Sequence, residues 1–191
     1  MKIYYDTEFI ENGSTIELIS IGLVREDGAE YYAVRSEIGA LGGYSGNSDL
    51  YHRICNHHWL MTNVVPHLPV RGKVSTGQYA SFTLDTSSTL VRPKFVIANE
   101  VRDFILAAPD PSLWAWYAAY DHVALCQLWG PMISLPEGVP MWTNDLKQEV
   151  VRLGNPELPP MPGVAEHNAL SDAREVAWRH QWLARRTDVP Q

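Results

Sequence analysis

The sequence predicts an α/β fold, a mixed β-sheet flanked by α-helices, that forms one domain over residues 1–191. Three observations support this prediction. Runs of β-branched and aromatic residues are concentrated in the first 35 positions. From residue 95 onward, apolar residues recur at helical spacing between proline and glycine breaks. Finally, 191 residues with 46% hydrophobic and 19% charged side chains suit one globular domain with a sizeable core.

The first third of the chain is predicted to open with an antiparallel meander. Residues 2–7 have the composition of a short strand, and residues 17–24 form a β-branched run that is typical of a central strand. Asp27 and Gly28 give a tight-turn signal before a third strand over residues 30–35. These strands are therefore expected to be neighbours in the sheet.

The middle of the chain carries weaker signals. Four glycines between residues 36 and 47 predict a loop, and a helix is predicted over residues 50–63, ending before Pro66. Residues 71–95 show no clear period and are expected to be irregular. The remaining elements are predicted to alternate: a helix over 95–108, a strand over 113–117, and helices over 121–129, 145–153 and 169–185.

Charge and hydropathy narrow the functional classes. The net charge of −7 argues against a protein that coats nucleic acid through bulk electrostatics. It leaves open an enzyme that neutralises an acidic substrate locally with divalent cations. No apolar run approaches the ~20 residues of a membrane span, and Asp6 lies where a signal peptide would be apolar. A cytoplasmic location without a membrane partner is therefore expected.

The sharpest chemical signal is the pair Asp6 and Glu8 at the end of the first predicted strand. Side chains two residues apart on a strand point to the same face, roughly 6 to 7 Å apart, where a hard divalent cation could bridge two carboxylates. The alternative is that the strand reaches the surface at this point and simply becomes polar.

Two further acids and one histidine are weaker signals when each is taken alone. Asp121 follows an apolar run and opens a predicted helix, so it could be an N-cap. His167 precedes Asp172 by five residues, which would place them ~140° apart within one continuous helix. They converge better if His167 precedes the last helix, with Asn168 as its cap and Asp172 in its first turn. A surface histidine and a dipole-stabilising aspartate are the simpler interpretation.

Taken together, the order Asp-x-Glu, Asp and His-x4-Asp resembles the DEDD exonuclease superfamily, in the DEDDh branch that contains RNase T, oligoribonuclease and proofreading exonucleases. The resemblance covers roughly residues 1 to 35 and 96 to 185. It implies a ribonuclease H-like fold, 3′-5′ exonuclease activity, and two Mg²⁺ ions for which Mn²⁺ would substitute. It also implies site roles: metal binding by Asp6, Glu8, Asp121 and Asp172, and general base catalysis by His167.

Elementary chemistry agrees with these implied roles. Two metal ions can stabilise both the attacking and the leaving oxygen of an in-line phosphoryl displacement, and a neutral histidine can accept a proton from water. Substrate contact is predicted for Phe9, which could stack on the terminal base or pack in the core, and for Thr7. Resemblance to the short free-standing relatives further implies single-stranded RNA 3′ ends as substrate and a homodimer.

Several alternatives remain open at this level. A DNA 3′-5′ exonuclease, a catalytically inactive RNA-binding relative and a metal-dependent nucleotide phosphatase would share parts of the pattern. Many relatives carry an asparagine shortly before the third acid, where this chain has Trp116 to Tyr120, and residues 36–94 match no family pattern. A zinc site is a weak alternative, because the spacing of its candidate ligands fits no standard structural site: His52, Cys55, His57 and His58.

Overall fold

Six strands form one mixed sheet in the spatial order β4-β3-β2-β1-β5-β6. The computed structural model describes residues 1–39, 48–161 and 167–187. The β1–β2 and β2–β3 pairs are antiparallel, whereas β3–β4, β1–β5 and β5–β6 are parallel. The strands are β1 (Lys2–Glu11), β2 (Ile16–Arg25), β3 (Glu30–Arg35), β4 (Val91–Arg92), β5 (Ser112–Ala115) and β6 (Thr143–Asp145).

Helices cover both faces of this sheet. They are α1 (Ser48–Cys55), α2 (His58–Asn63), α3 (Lys94–Leu106), α4 (Ala118–Cys126), α5 (Leu146–Arg152) and α6 (Ala169–Thr187). The predicted α/β class is thus confirmed, and the mixed sheet with its helices is consistent with a ribonuclease H-like fold. None of the described helices has the length and apolar composition of a membrane span.

Side chains alternate along β1 and so reach different parts of the core. Ile3 and Tyr5 belong to a buried cluster with residues of α3 and α4. Tyr4, between them, belongs to a second cluster with residues of α5 and α6. A third cluster joins the far end of the sheet to α1 and α2. Side chains further along β1 therefore meet α4 on one face and α6 on the other.

The structure corrects several predicted element boundaries. The helix predicted over residues 50–63 is two helices, because His57 adopts an extended backbone and its Nδ1 accepts the Leu60 N–H at 3.3 Å, which caps α2. The strand predicted over 113–117 ends at Ala115, since Tyr117 has a left-handed backbone with φ 56°. Helix α4 consequently begins three residues before Asp121, so Asp121 lies within the first turn and is not the N-cap.

Short strands were also missed. β6 precedes the helix predicted over 145–153, and β4 interrupts the segment predicted to be irregular over 71–95. Two and three residues are too few for an alternating pattern to be visible. Of the predicted glycine-rich loop, residues 36–38 form a 3-10 helix, and residues 40–47 lie outside the described residues. The single-domain assignment stays a prediction.

Candidate active site

Three carboxylates from distant parts of the chain converge on the face of the sheet that α6 covers. Asp6 and Glu8 lie on β1, and Asp172 lies in the first turn of α6. One carboxylate oxygen of each lies within 4.8 Å of the others. Among the described residues this is the only group of three or more histidine, cysteine or acidic side chains with that proximity. We call these three residues together with Asp121 the acid cluster.

The approach of α6 to β1 depends on a glycine. Gly22 on β2 is the register partner of Asp6 on β1. A Cβ added at Gly22 would lie 2.4 Å from the backbone N and Cα of Leu170, a separation that no side chain tolerates. The first turn of α6 therefore rests directly on the strand beside Asp6. Asn168 caps this helix, as predicted, with its Oδ1 accepting the Ser171 N–H at 3.2 Å.

Asp121 reaches the cluster from α4, on the other face of β1. Its Oδ1 accepts two hydrogen bonds from Thr7, one from the backbone N–H at 2.9 Å and one from the hydroxyl at 2.6 Å. Asp121 is 5% exposed and Thr7 is also buried. Thr7 therefore anchors Asp121, and its predicted contact with substrate stays a prediction.

Burial and mutual repulsion make the acid cluster costly to ionise. Burial, followed by the charges of Asp121, Glu8 and Asp172, raises the pKa of Asp6 well above its ordinary value. Burial, followed by the charges of Asp172 and Asp121, raises the pKa of Glu8 to about 8. Burial also raises the pKa of Asp121, to about 6, against the opposing effect of the Thr7 hydrogen bonds. Such a site gains free energy when a cation enters it.

His167 lies at the entry to α6 in a left-handed backbone conformation, with φ 62°. Its ring meets Trp59 of α2 edge-on, with centroids 4.8 Å apart and an interplanar angle of 73°. Histidine tolerates this conformation better than β-branched residues do, although the conformation still stores strain, as residues at functional sites often do. The expectation that His167 precedes the helix is confirmed, whereas its role as a base stays a prediction.

Phe9 follows a register shift in the β1–β2 pairing between Glu8 and Phe9. Its ring lies parallel to that of Tyr120, with centroids 5.9 Å apart and planes at 5°. Tyr120 is 55% exposed and directly precedes Asp121. Phe9 is thus part of a partly exposed aromatic pair beside the acids, and base stacking by this residue stays a prediction.

Four residues that shape the site were not predicted from the sequence: Tyr120, Trp59, Asp145 and Gly22. Tyr120 and Trp59 were not distinguishable from other aromatics, because nothing in their local sequence shows that they contact Phe9 and His167. Asp145, the N-cap of α5, also raises the pKa of Asp121 through its charge. Gly22 did carry a signal, since an isolated glycine inside a β-branched run often marks a close backbone approach.

Two curated proteins of Mycobacterium tuberculosis are similar to this chain along nearly its whole length. One comes from strain CDC 1551 / Oshkosh and the other from strain ATCC 25618 / H37Rv, and each is named a 3′-5′ exoribonuclease. Each is 41% identical to this chain over 191 residues, which covers 99% of this chain and 96% of the relative. No family model matches the chain.

Proposed function

Because the chain belongs to the family of these 3′-5′ exoribonucleases, we propose that it is a metal-dependent hydrolase that removes nucleotides from the 3′ end of single-stranded RNA. The observation that supports the catalytic part of the proposal is the convergence of the Asp6, Glu8 and Asp172 carboxylates within 4.8 Å. The finer assignment, to the DEDDh branch with two Mg²⁺ ions and a histidine base, rests on the sequence resemblance and belongs to the same proposal.

The donor set suits magnesium. Mg²⁺ prefers oxygen ligands and is usually held by one or two carboxylates, with water and substrate phosphate completing its shell. Burial, and after it the charges of neighbouring carboxylates, raises the pKa values of Asp6 and Glu8, so both groups are costly to ionise without a cation. Asp6, Glu8 and Asp172 would hold the ions, and Asp121, fixed by Thr7, would support them. Bound Mg²⁺ would supply charge that stabilises the attacking and leaving oxygens of phosphoryl transfer.

The remaining steps belong to the chain's own groups. His167 would accept a proton from the attacking water, and its Trp59 neighbour limits the orientations of the ring. Water attacks the last phosphodiester as the P–O3′ bond breaks, which leaves a new 3′-hydroxyl on the RNA and a nucleoside 5′-monophosphate. Phe9 would stack on the terminal base, a contact that tolerates any sequence because every base presents a π-face.

The proposal is tested with 5′-labelled single-stranded RNA and DNA of matched sequence, incubated with Mg²⁺, with Mn²⁺ and with EDTA. We expect a ladder that shortens by single nucleotides from the 3′ end, on RNA faster than on DNA, with either metal and not in EDTA. A 3′-phosphorylated RNA of the same sequence is the matched control, because binding and cleavage should require a free 3′ end.

Other results separate the alternatives. Faster shortening of DNA would identify a DNA exonuclease, and release of inorganic phosphate alone would identify a phosphatase. Tight, metal-independent binding of the 3′-blocked RNA without cleavage would identify an RNA-binding relative. The homodimer implied by the resemblance is checked separately by light scattering of the purified protein.

A further inference from the structure

A cluster of one aromatic and two basic side chains lies beside the acids and is not used by the proposed chemistry. The Arg179 guanidinium carbon lies 4.6 Å from the centre of the Trp116 ring, and Lys147 Nζ lies 5.7 Å from the same centre. Arg179 lies on α6, Trp116 directly follows β5, and Lys147 lies in the first turn of α5. We call Trp116, Lys147 and Arg179 the Trp116 cluster.

The strand register places this cluster next to the acid cluster. Tyr4 on β1 is the register partner of Trp114 on β5, and Asp6 and Trp116 each lie two residues further along the chain. Tyr4, Trp114 and Trp116 also share the apolar cluster that packs under α5 and α6, which places Trp116 on the face of the sheet that α6 covers.

Helix α6 connects the two clusters directly. Arg179 follows Asp172 by seven residues, which is two helical turns, so both residues lie on nearly the same side of the helix about 10 Å apart along its axis. Each strand of duplex DNA carries one phosphate per ~3.4 Å of axis, so ~10 Å corresponds to at most about three nucleotides of a stacked strand. The Trp116 cluster is thus within about three nucleotides of the acids.

The charges of the Trp116 cluster are only partly balanced. Arg179 pairs with Glu175 at 2.7 Å. Lys147 has no carboxylate within 4 Å among the residues that the structure describes. In a chain with a net charge of −7, basic groups beside an acidic site raise the local concentration of a polyanion where the rest of the surface repels it. A flat guanidinium and an ammonium are the two side-chain cations that bind phosphate.

From this placement we propose that the Trp116 cluster is a binding site for the phosphodiester backbone of the RNA strand, within about three nucleotides upstream of the bond to be cleaved. The inference rests on the proposed function, since it takes the acid cluster as the point of cleavage. It assigns Lys147 and Arg179 to substrate affinity and length preference, and it gives them no part in the chemical step.

The experiment compares a dinucleotide with a pentanucleotide as cleavage substrates. We expect Lys147→Gln and Arg179→Gln each to raise KM for the pentanucleotide about tenfold, with kcat unchanged and KM for the dinucleotide unchanged. The slope of log KM against log salt should fall by ~0.7 for each phosphate contact removed. Arg179→Lys, which keeps the charge, should retain most of that slope.

Arg186 supplies the matched control. It lies 4.6 Å from the Trp182 ring on the same helix, the same cation–π distance, but 14 residues from Asp172, or about 21 Å along the axis. Arg186→Gln, which removes a cation–π contact of the same length from the same helix, should therefore leave the pentanucleotide KM unchanged. Lys147→Gln, which breaks no salt bridge of the described residues, tests the proposal independently of any folding defect at Arg179.

Three results would overturn the inference. The first is an unchanged pentanucleotide KM in both Lys147→Gln and Arg179→Gln. The others are a rise in KM for the dinucleotide as large as that for the pentanucleotide, or a rise in the pentanucleotide KM of Arg186→Gln as large as in those two variants. If the wild-type protein does not shorten RNA, the proposed function fails. The inference is then decided separately by fluorescence anisotropy of a labelled pentanucleotide in EDTA, where Lys147→Gln must weaken binding and Arg186→Gln must not.

Discussion

Two groups of carboxylates lie on the same sheet, and they differ in what balances their charge. The acid cluster brings four acids together on and around β1. Some ten residues further along the chain, Glu17 at the start of β2 is surrounded by arginines. It pairs with Arg53 of α1 and lies 3.9 Å from Arg35, which in turn lies 3.4 Å from Glu37. We call Glu17, Arg35, Glu37 and Arg53 the arginine network.

The arginine network is a structural connection. It joins β2, β3 and α1, and Glu37 also accepts the Lys94 N–H at the start of α3. Each acid has a cation within hydrogen-bonding or ion-pair distance, so nothing further is needed to stabilise the charges. In the acid cluster, burial first and neighbouring carboxylates second raise the pKa values of Asp6 and Glu8, and burial raises the pKa of Asp121. The difference teaches that the two groups of acids have different costs: the carboxylates of the arginine network lie beside cations, whereas Asp6 and Glu8 are costly to ionise, a property that is common at functional sites.

The largest effect that this comparison predicts is on catalysis. Asp6→Asn or Glu8→Gln should reduce RNA cleavage to less than about 0.1% of the wild-type rate, because several kcal/mol of metal-derived stabilisation are lost and each ~1.4 kcal/mol is tenfold. Glu17→Gln, which removes a charge from the arginine network, should keep the rate within about twofold. The rates are measured by single-nucleotide release from labelled RNA. Near-wild-type cleavage by either variant of the acid cluster would refute its catalytic assignment.

A smaller loss of activity is expected at His167. His167→Asn keeps a residue that tolerates the left-handed backbone but removes the imidazole, so turnover should fall about 100- to 10,000-fold. Magnesium affinity should change little, since Mg²⁺ prefers oxygen ligands. The rate is measured by single-nucleotide release from labelled RNA at saturating Mg²⁺. If the variant keeps the wild-type rate, another group is the base.

The free energy of unfolding should respond to pH in a way that separates the two clusters. A carboxyl whose pKa is higher in the folded than in the unfolded protein stabilises the fold at low pH, and that stability is lost as pH rises through the folded pKa. The metal-free protein should therefore lose stability between pH ~4.5 and about 8, the pKa of Glu8. Glu8→Gln should be more stable than wild type by a few kcal/mol above pH 8, at ~1.4 kcal/mol per pKa unit, and equal to it near pH 4.

Urea unfolding in EDTA at pH 4, 6 and 8 measures this effect, and the same series with Mg²⁺ is the control. Bound cation should remove the advantage of Glu8→Gln, because the wild-type site binds it more tightly. A variant that is less stable than wild type at pH 8 in EDTA would show that Glu8 is balanced by a partner.

The smallest predicted effect is a loss of stability, opposite in sign to the gain expected for Glu8→Gln. Arg35 is 8% exposed, so Arg35→Met leaves Glu17 and Glu37 without that cation and should lower the free energy of unfolding by about 1 to 3 kcal/mol. RNA cleavage per folded molecule should be unchanged. Differential scanning calorimetry at pH 7 checks the first expectation and the cleavage assay checks the second. If Arg35→Met is more stable than wild type, Arg35 does not stabilise Glu17 and Glu37, and the contrast between the arginine network and the acid cluster fails.

Part of this structure could be predicted from sequence because the relevant information is local. The β-branched run 17–24 became the central part of β2, and apolar spacing over 95–108 became α3. The two-residue period of a strand placed Asp6 and Glu8 on one face, where they meet Asp172. Asn168 was recognisable as a cap from its position before the helix.

What the sequence did not predict depends on contacts between distant segments. The hydrogen bonds from Thr7 to Asp121 join residues 114 positions apart, and neither residue has a local signal of the other. Trp59 meets His167 across 108 positions for the same reason. The arginine network was missed because isolated charged residues at surface-like positions give no pattern until the fold brings Arg35, Glu17 and Arg53 together.

The contact between Gly22 and Leu170 has a consequence for how the protein is made. Asp6 and Glu8 leave the ribosome about 160 residues before Asp172, which at 5–20 residues per second is a delay of roughly 10 to 30 s. Throughout that interval the early hairpin carries two of the carboxylates without the helix that seats against Gly22. Under the proposed function, the three carboxylates of the metal site therefore come together only when α6 has been synthesised and has docked.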